Sequence, residues 1–408
     1  MIRAAALSYA VIFSLLIGMI CSGLLFITST QKKIEIIYTG SEALLLDSYA
    51  AIQYAKNTIA PGDSSVLFHP SGDTSKLKHL KWGVFSVVTS ITFKNDKNKK
   101  RCAFLGKTAG RGLATCYIPG NIEGLKITGN TLLEGNFYLP NAQVEKAFIS
   151  GKTYINNKLV YGTINKSENT LPSLHKTYLN SSLEELTSNL NNIKFKLKDS
   201  VFSFFGPSTL YQQITPIYIT QNLKGNVVIQ SFDSIYVASS AQLEHVILCA
   251  PIVRFESGFK GSVQVIAQEQ IVLEKDVQLQ YPSACILNES KTNISTTRPS
   301  ILLDSLAEVR GGILLTSQKN DFRNLPVLNV QPTGTIAGMI YNSGESRIRG
   351  SIIGFLYSNK LSTHYGGGIY DNHLVDVTIS SIRLPNKFCI PHWLESNQKS
   401  ALTIIEWV

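Results

Sequence analysis

The feature that most constrains the fold is a set of short repeats that share fixed offsets along the chain. Ile252 lies between two of the matched positions, so an offset of 36 residues is interpreted as two units of about 18. Three matches share that offset: KGNVVI (224–229) with KGSVQV (260–265), Ile235 with Ile271, and AQL (241–243) with VQL (277–279).

A second repeat places GTIAGMIY (334–341) 16 residues before GSIIGFLY (350–357). Units this short cannot bury a core alone, and they gain one by stacking on their neighbours. Each unit has room for about three short strands and three bends, which is one turn of a parallel β-helix with glycines at its corners. An antiparallel sandwich is the alternative, but it gives no reason for a shared offset.

The amino-terminal segment has no charged residue from Ala4 to Gln31. As a helix these residues would span about 42 Å at about 1.5 Å per residue, and a bilayer core is about 30 Å thick. A cleaved signal peptide is the alternative, but its apolar region usually has only about 7–15 residues. We therefore predict an uncleaved single anchor that contacts the lipid bilayer through residues 4–31.

Small residues recur at a spacing of four along this predicted anchor. Such a face allows two membrane helices to approach closely and predicts self-association. The alternative is that this face contacts only lipid. The residues of the face are Ala6, Ala10, Ser14, Gly18 and Ser22.

Two further segments have helical spacing, SEALLLDSYAAIQYAKN (41–57), which Ser41 can cap, and SLHKTYLNSSLEELTSNL (173–190). The predicted fold class is mainly β, with an N-terminal transmembrane helix followed by a parallel β-helix, or solenoid, with short helical insertions. The predicted regions are a transmembrane anchor (1–33), a helix plus β-hairpin region (34–119), a first β segment (120–165), a helical connector (166–200), the β-helix (201–385) and a C-terminal segment (386–408).

A basic cluster marks the tip of a predicted hairpin in KNDKNKKR (94–101), within a chain of net charge +10. It predicts contact with an anionic surface such as phosphates or anionic lipid. The alternative is a solvated turn, and nucleic acid is not expected because no aromatic platform accompanies the charges. The cluster consists of Lys94, Lys97, Lys99, Lys100 and Arg101.

Six cysteines form no C-x-x-C pair, which leaves structural zinc and thioredoxin-like chemistry unsupported. Cys102 and Cys116 are the nearest pair, and a disulfide between them would close a small loop in an oxidising compartment. Two buried free thiols are the alternative.

Catalytic motifs do not emerge from the sequence. GKT (106–108) lacks the glycine of a phosphate-binding loop, because position 101 is arginine. Asp371, His373 and Asp376 are the strongest catalytic candidates, but a polar turn before a strand explains them better. The seven histidines have no metal-ligand spacing. We therefore predict a protein that is not an enzyme and binds neither cofactor nor metal.

The short glycine-cornered units behind an amino-terminal anchor resemble the polymer-forming β-helix proteins of bacteria, the bactofilin group, over about residues 220–360. The apolar start, with Arg3 just ahead of it, resembles the N-terminal segment of PilX-type minor pilins. These resemblances imply an envelope protein that assembles with itself or with other envelope proteins.

Three functions are consistent with these patterns. The first is a non-enzymatic, membrane-anchored envelope scaffold or assembly protein that presents a β-helix. The second is a minor-pilin-like component of a pilus or secretion apparatus, and the third is a β-helix that binds or cleaves glycans. The expected location is the inner membrane with the bulk of the protein outside the cytoplasm, although Arg3 opposes Lys32 and Lys33 nearly evenly in charge.

Overall fold

The computed structural model describes residues 2–110, 112–120, 123–175, 191–192, 197–289, 298–317, 324–391, 393–394 and 402–408. Within them the protein is mainly β, with one long helix at its amino terminus. The strands form two bodies. We call the helix with its antiparallel sheet the helix-and-sheet module, and the strands β5 to β29 the parallel stack.

In chain order the elements are a helix, 31 strands and one 3-10 turn, and their bounds follow in one sentence. They are α1 (Ile2–Thr58), β1 (Ser64–Phe68), β2 (Thr74–Trp82), β3 (Phe85–Lys94), β4 (Lys97–Thr108), β5 (Cys116–Tyr117), β6 (Leu125–Thr128), β7 (Leu132–Leu139), the 3-10 turn (Pro140–Ala142), β8 (Val144–Lys146), β9 (Tyr161–Lys166), β10 (Asn191–Asn192), β11 (Ser200–Phe202), β12 (Thr209–Gln213), β13 (Ile217–Ile219), β14 (Asn222–Gly225), β15 (Val227–Ser231), β16 (Ser234–Val237), β17 (Gln242–Cys249), β18 (Ile252–Phe255), β19 (Lys260–Ala267), β20 (Gln270–Leu273), β21 (Gln278–Glu289), β22 (Ser300–Leu303), β23 (Glu308–Ser317), β24 (Val327–Val330), β25 (Thr335–Ile348), β26 (Ser351–Tyr365), β27 (Gly368–Asp371), β28 (His373–Val375), β29 (Thr378–Ser380), β30 (Cys389–Ile390) and β31 (Leu402–Trp407).

Helix α1 is one continuous helix, where the sequence predicted an anchor followed by a separate helix over 41–57. No proline interrupts the junction, and Gly40 lies in open space where one glycine costs a helix only about 1 kcal/mol. Ser41 is therefore a helical residue and not a cap. The helix ends at Thr58, shortly before Pro61 and Gly62, as the sequence predicted.

The sheet of the helix-and-sheet module is antiparallel and has the order β1-β2-β3-β4, with β30 and β31 both paired to β4. The predicted charged hairpin is confirmed: β3 and β4 pair from Ser86↔Leu105 to Lys94↔Lys97. Asn95 (φ 51°) and Asp96 form the two-residue turn, because asparagine tolerates the left-handed conformation that such tight turns require. The last strand of the chain thus completes a sheet that its first strands began.

The parallel stack consists of parallel strand pairs in which each strand lies beside one about 18 residues further along the chain. Ile235 lies opposite Val253, and Val253 lies opposite Ile271. The 36-residue offset is therefore two steps of 18, and the residue between is Val253, not Ile252. All three side chains are fully buried in an aliphatic interior that continues through the stack.

The 16-residue repeat is also a strand register. β25 and β26 pair in parallel from Thr335↔Ser351 to Tyr341↔Tyr357. Gly338 (φ 143°) is paired with Gly354, and a Cβ on Gly354 would collide with the carbonyl oxygen of Gly338. This close backbone approach explains why both copies of the repeat keep glycine at this position.

One turn of the parallel stack is assembled from two distant parts of the chain. Cys116 lies between Leu356 of β26 and Phe137 of β7, while Ile379 of β29 lies between β26 and Leu133 of β7. Segment 120–165 therefore extends the same stack, beyond β26. The predicted helical connector over 173–190 lies almost wholly outside the described residues.

The outer face of the parallel stack packs on the sheet of the helix-and-sheet module. Trp82 Nε1 donates to the carbonyl oxygen of His245 (3.0 Å), and Gln264 accepts from Val84 N (2.8 Å) while donating to the carbonyl oxygen of Trp82 (2.9 Å). Phe104 belongs to the apolar cluster that fills this contact. The two bodies are thus joined by a core and by hydrogen bonds.

Candidate functional site

The amino-terminal half of α1 is an exposed apolar surface. Phe13, Leu25 and Phe26 are 64%, 70% and 73% exposed, which is exceptional for residues of this kind. The helix is long and apolar enough to cross a membrane, by length and composition. This half of α1 is the structure's candidate surface for a bilayer or for other apolar helices.

The predicted small-residue face lies on this exposed half. Ser14 and Ser22 donate their hydroxyls to carbonyl oxygens of their own helix, Val11 and Met19, so both are satisfied without a partner molecule. A Cβ on Gly18 would meet nothing within 4 Å. Ala10 is exposed as well, and the side chain of Ala6 lies outside the described part. The face is open to close approach.

The carboxyl-terminal half of α1 is packed. Ala51, Ile52 and Ala55 are fully buried in a cluster against β2 to β4. Leu44 is buried too, whereas Leu45 and Tyr49 of the predicted apolar face are 39% and 45% exposed. A rigid helix therefore connects the exposed apolar surface directly to the sheet.

The basic cluster is divided by the structure into two groups. Lys94 Nζ lies 3.4 Å from Asp73, Lys100 lies over the ring of Phe205 at 5.6 Å, and Arg101 lies over Trp407 at 4.9 Å. Lys97 and Lys99 are exposed and have no ion-pair partner among the described residues. Two lysines of the predicted five are thus free to meet an external anion.

The strongest catalytic candidates of the sequence have structural partners. Asp376 binds Lys152 Nζ (2.5 Å) and accepts from the backbone N of Asn130 (2.9 Å), which joins β29 to the turn before β7. The ion pair and this hydrogen bond lower the pKa of Asp376 against the effect of its burial. Asp371 lies 2.9 Å from Lys360, and His373 Nδ1 lies 2.6 Å from the carbonyl oxygen of Asp371. The polar-turn interpretation accounts for all of these contacts.

Cys102 and Cys116 are free thiols, both buried. Burial raises the pKa of each to about 12, which keeps both protonated and unreactive. Cys102 faces the contact between the two bodies and Cys116 faces the interior of the parallel stack. The disulfide weighed from the sequence is not formed in the structure, and the free-thiol alternative describes it.

Two grooves lie on the surface of the parallel stack. The first, of about 640 Å³, is lined by polar side chains, and one of its carboxylates, Glu244, is paired with Lys224 at 2.7 Å. Its described lining contains no aromatic ring. The second, of about 520 Å³, contains Tyr161, Phe355 and Phe388 but no carboxylate in its described lining. Neither combines the aromatic platform and paired carboxylates that glycan cleavage would use. Among the described residues no group of three or more histidine, cysteine or acidic side chains could hold a metal ion.

A buried acid–base pair at the contact between the two bodies was not predicted. His245 occupies a bulge of β17, and its Nε2 lies 3.0 Å from Glu406 of β31. Burial lowers the pKa of His245 to about 4, and burial together with the Glu244 carboxylate raises the pKa of Glu406 to about 7. Between these values both are neutral, and the carboxyl O–H of Glu406 donates to the imidazole. No local pattern could reveal a pair so distant in sequence.

A second buried charge was also missed, inside the parallel stack. Glu345 binds Arg298 (2.8 Å), Arg347 (2.8 Å) and the hydroxyl of Ser362 (2.5 Å). Burial opposes ionisation, but these hydrogen bonds and charges prevail and lower the pKa of Glu345 to about 2. The group keeps a carboxylate charged where only aliphatic residues were expected.

Comparisons with known proteins supply no family. No family model matches the chain, and no curated protein matches it. One solved structure, the competence-associated pilin ComZ from Thermus thermophilus, is similar at 11% identity and a TM-score of 0.23, over 86% of each chain. That neighbour is a pilin with only a weak likeness, and at this TM-score the likeness carries no argument. The bactofilin-like resemblance has no support among these findings.

Proposed function

We propose that the protein is a non-enzymatic, single-pass membrane protein of the bacterial envelope that presents a parallel β-helix as a scaffold or assembly surface. The observation that carries the proposal is the division of α1 into an exposed apolar half and a half that is buried on the sheet. An apolar helix so rigidly joined to a folded body is suited to hold that body at a fixed position above a membrane.

The β-helix part of the proposal rests on the register of the parallel stack. Steps of 16 to 19 residues recur between parallel partners, from β12 with β15 to β25 with β26. Inward side chains repeat from turn to turn, as Ile235, Val253 and Ile271 do. A chain that closes one turn per step and fills its interior with aliphatic columns is a coil of this kind.

A minor-pilin-like subunit is the second candidate, and one observation favours it. The buried half of α1 packs on an antiparallel sheet whose outermost contribution, β31, comes from the end of the chain. Helix and sheet thus form a compact carrier of their own, and the parallel stack is an insertion between β4 and β30. In this reading the exposed half of α1 would pack against other subunits after leaving the bilayer.

The location belongs to the same proposal. We place residues 4–31 in the inner membrane, with the amino terminus inside and the bulk outside the cytoplasm. The exposed apolar residues of α1 support the membrane contact. Protease added to spheroplasts should remove the bulk of the protein while an alkaline-carbonate wash leaves it in the membrane. Release by carbonate, or full protection from protease, would contradict the anchor or the orientation respectively.

Assembly is tested in the same membranes by oxidative crosslinking through Cys21, which is exposed on α1. We expect a disulfide-linked dimer that Gly18→Ile abolishes, because the added side chain keeps two helices apart. Leu16→Ala, on another face of the helix, is the matched control and should crosslink normally. Sequencing of the mature amino terminus separates the candidates, since loss of a short leader favours the pilin-like subunit. A protein that never crosslinks and forms no higher assembly would refute both.

A further inference from the structure

The end of the sheet from which α1 leaves the body can be identified from two contacts. At one end, His79 Nδ1 lies 2.7 Å from the carbonyl oxygen of Ile59, just past the helix terminus. At the other end, Ser71 donates to Asp47 of the helix (2.6 Å). The exposed apolar half therefore leaves beside the turn between β1 and β2.

The charged β3–β4 turn lies at this same end. Lys94 pairs with Asp73, which directly follows Ser71 in that neighbouring turn. Ala103 and Leu105 of β4 pack in the cluster with the helix, and Arg101 lies 6.0 Å from the ring of Tyr49. Because side chains alternate along a strand, Lys99 and Lys97 continue this column on the helix side.

The height of the tip follows from the geometry of strand and helix. Lys97 precedes Arg101 by four residues, which is about 13 Å of strand at about 3.3 Å per residue. The same distance is about nine residues of helix, so Lys97 lies at the level of Gly40. Lys32 and Lys33 at the edge of the apolar segment are then about 11 Å away, close to one Debye length at physiological salt.

We propose that Lys97 and Lys99, with Lys32 and Lys33, bind the phosphate headgroups of anionic lipid in the leaflet from which α1 emerges. This inference rests on the proposed membrane anchor. Phe68 at the end of β1 is 76% exposed at the same end of the sheet, which suits a side chain placed at a membrane interface. Each lysine near a charged leaflet contributes about a fivefold gain in affinity. The contact would fix the tilt of the body against the membrane.

The test uses the full-length protein in lipid nanodiscs. A fluorophore is attached at Asn98→Cys, between the two lysines, in a Cys21→Ser/Cys249→Ser background, and lipids with a spin-labelled headgroup act as quenchers. We expect about twofold stronger quenching in discs that contain phosphatidylglycerol than in discs of phosphatidylcholine alone. About 1 M salt should remove the difference, because the Debye length falls to about 3 Å.

The matched variants remove equal charge at two places. Lys97→Gln/Lys99→Gln should abolish the dependence on phosphatidylglycerol. Lys260→Gln/Lys275→Gln, which removes two exposed lysines of the parallel stack, should leave it unchanged. Thermal unfolding of each variant verifies that it is folded. Equal quenching in both kinds of disc, with the protein inserted, overturns the lipid contact and leaves the anchor intact. Failure to insert at all overturns both.

Other sources of phosphate are separated in detergent. Inorganic phosphate should not change the fluorescence of the labelled tip, because one free anion lacks the charge density of a leaflet. A duplex DNA oligonucleotide should not bind in a manner that depends on Lys97 and Lys99. Binding of either that the double variant abolishes would reassign the tip to that ligand and contradict the lipid proposal.

Discussion

The helix-and-sheet module and the parallel stack solve the same problem in different ways. In the module, β1 to β4 pair with their immediate neighbours in the chain through tight turns. In the stack, a strand such as β18 pairs with strands one turn away, while β16, β18 and β20 repeat one arrangement. The module obtains its order from turns and from one helix, and the stack from repetition.

This difference teaches where each body is sensitive. A turn of the parallel stack touches the next through backbone groups, so a defect in one turn is felt by its neighbours. The module has an ordinary side-chain core in which Ile52 and Leu105 meet. The two bodies are joined through the pair His245 and Glu406 and the contacts of Trp82. Changes placed in the stack, in the module and at their junction should therefore differ in size and kind.

The largest effect is expected in the stack, from Gly338→Val. A Cβ there would collide with the carbonyl oxygen of Gly311, at a backbone angle that valine strongly disfavours. We expect a loss of about 4 kcal/mol or more in the free energy of unfolding. Gly110→Ala, where a Cβ meets nothing, is the control for urea unfolding followed by circular dichroism. A variant as stable as this control would show that the turns are not in close contact.

Glu345→Gln tests the charged group inside the stack. Breaking a buried ion pair costs about 3 kcal/mol, here because two arginines lose their carboxylate. Since the pKa of Glu345 is lowered to about 2, its stabilisation is present above about pH 4.5 and is lost as the pH falls towards 2. The gap between wild type and variant in urea unfolding should therefore be wide at neutral pH and nearly closed at pH 2. A gap that persists in acid would contradict the charge argument.

Ile52→Ala sharpens the comparison from the module's side. Removal of a fully buried side chain costs about 3 kcal/mol, and here it should loosen α1 from the sheet without disturbing the stack. Limited proteolysis should cut the segment after Thr58 sooner, while fragments of the stack stay resistant. Leu46→Ala, at a side chain 67% exposed, is the control and should behave as wild type. Equal loss of protection in both bodies would mean that they unfold as one unit.

A smaller effect is expected at the junction, from Glu406→Gln. The raised pKa of Glu406, about 7, gives stability that is present below about pH 4.5 and is lost as the pH rises through 7. The lowered pKa of His245, about 4, gives stability that is present above about pH 6.5 and is lost as the pH falls through 4. The two changes offset each other between 4.5 and 6.5, so the loss on the alkaline side belongs to Glu406.

Because Glu406 is partly exposed, that alkaline loss should be only about 1 kcal/mol after solvent screening. Thermal melts between pH 6.5 and 8 should show it in wild type, and the uncharged amide of Glu406→Gln should remove the slope. A variant whose melting temperature falls as steeply as that of wild type would assign the slope to another group.

The smallest effect is expected from a reducing agent. Cys102 and Cys116 are free and buried in different surroundings, so dithiothreitol should not change the melting temperature of either body. Thiol titration should count both cysteines only after unfolding. A lower melting temperature in reductant, with fewer thiols in the unfolded protein, would show that a disulfide forms after all.

The sequence predicted those parts of the fold in which a local pattern has a local cause. The offsets of 36 and 16 are visible because each turn must place the same kind of side chain in the same interior column, as with Ile235 and Ile271. The hairpin around Asn95 and Asp96 was visible for the same reason, since two strands flank a short polar turn. The membrane segment needed only its length and lack of charge.

Other parts could not be predicted because their causes are distant in the chain. Nothing near Cys116 indicates that Tyr117 stacks between Tyr357 and Tyr138, each with ring centres 5.8 Å away. The pairing of β31 with β4, and the contact of Glu406 with His245, likewise join residues without a shared pattern. At the candidate site, the sequence located all five basic residues but not the neutralisation of Lys94 by Asp73.

The shared turn in which Cys116 and Ile379 meet β26 has a consequence for how such proteins can vary. The chain enters and leaves the coil at one level, so whole turns could be gained or lost between Gln213 and Ser351 while both points of attachment stay in place. Each addition would extend the column by about 4.8 Å, the spacing of neighbouring strands. Evolution could thereby adjust the reach of the protein without redesigning the part that holds it in place.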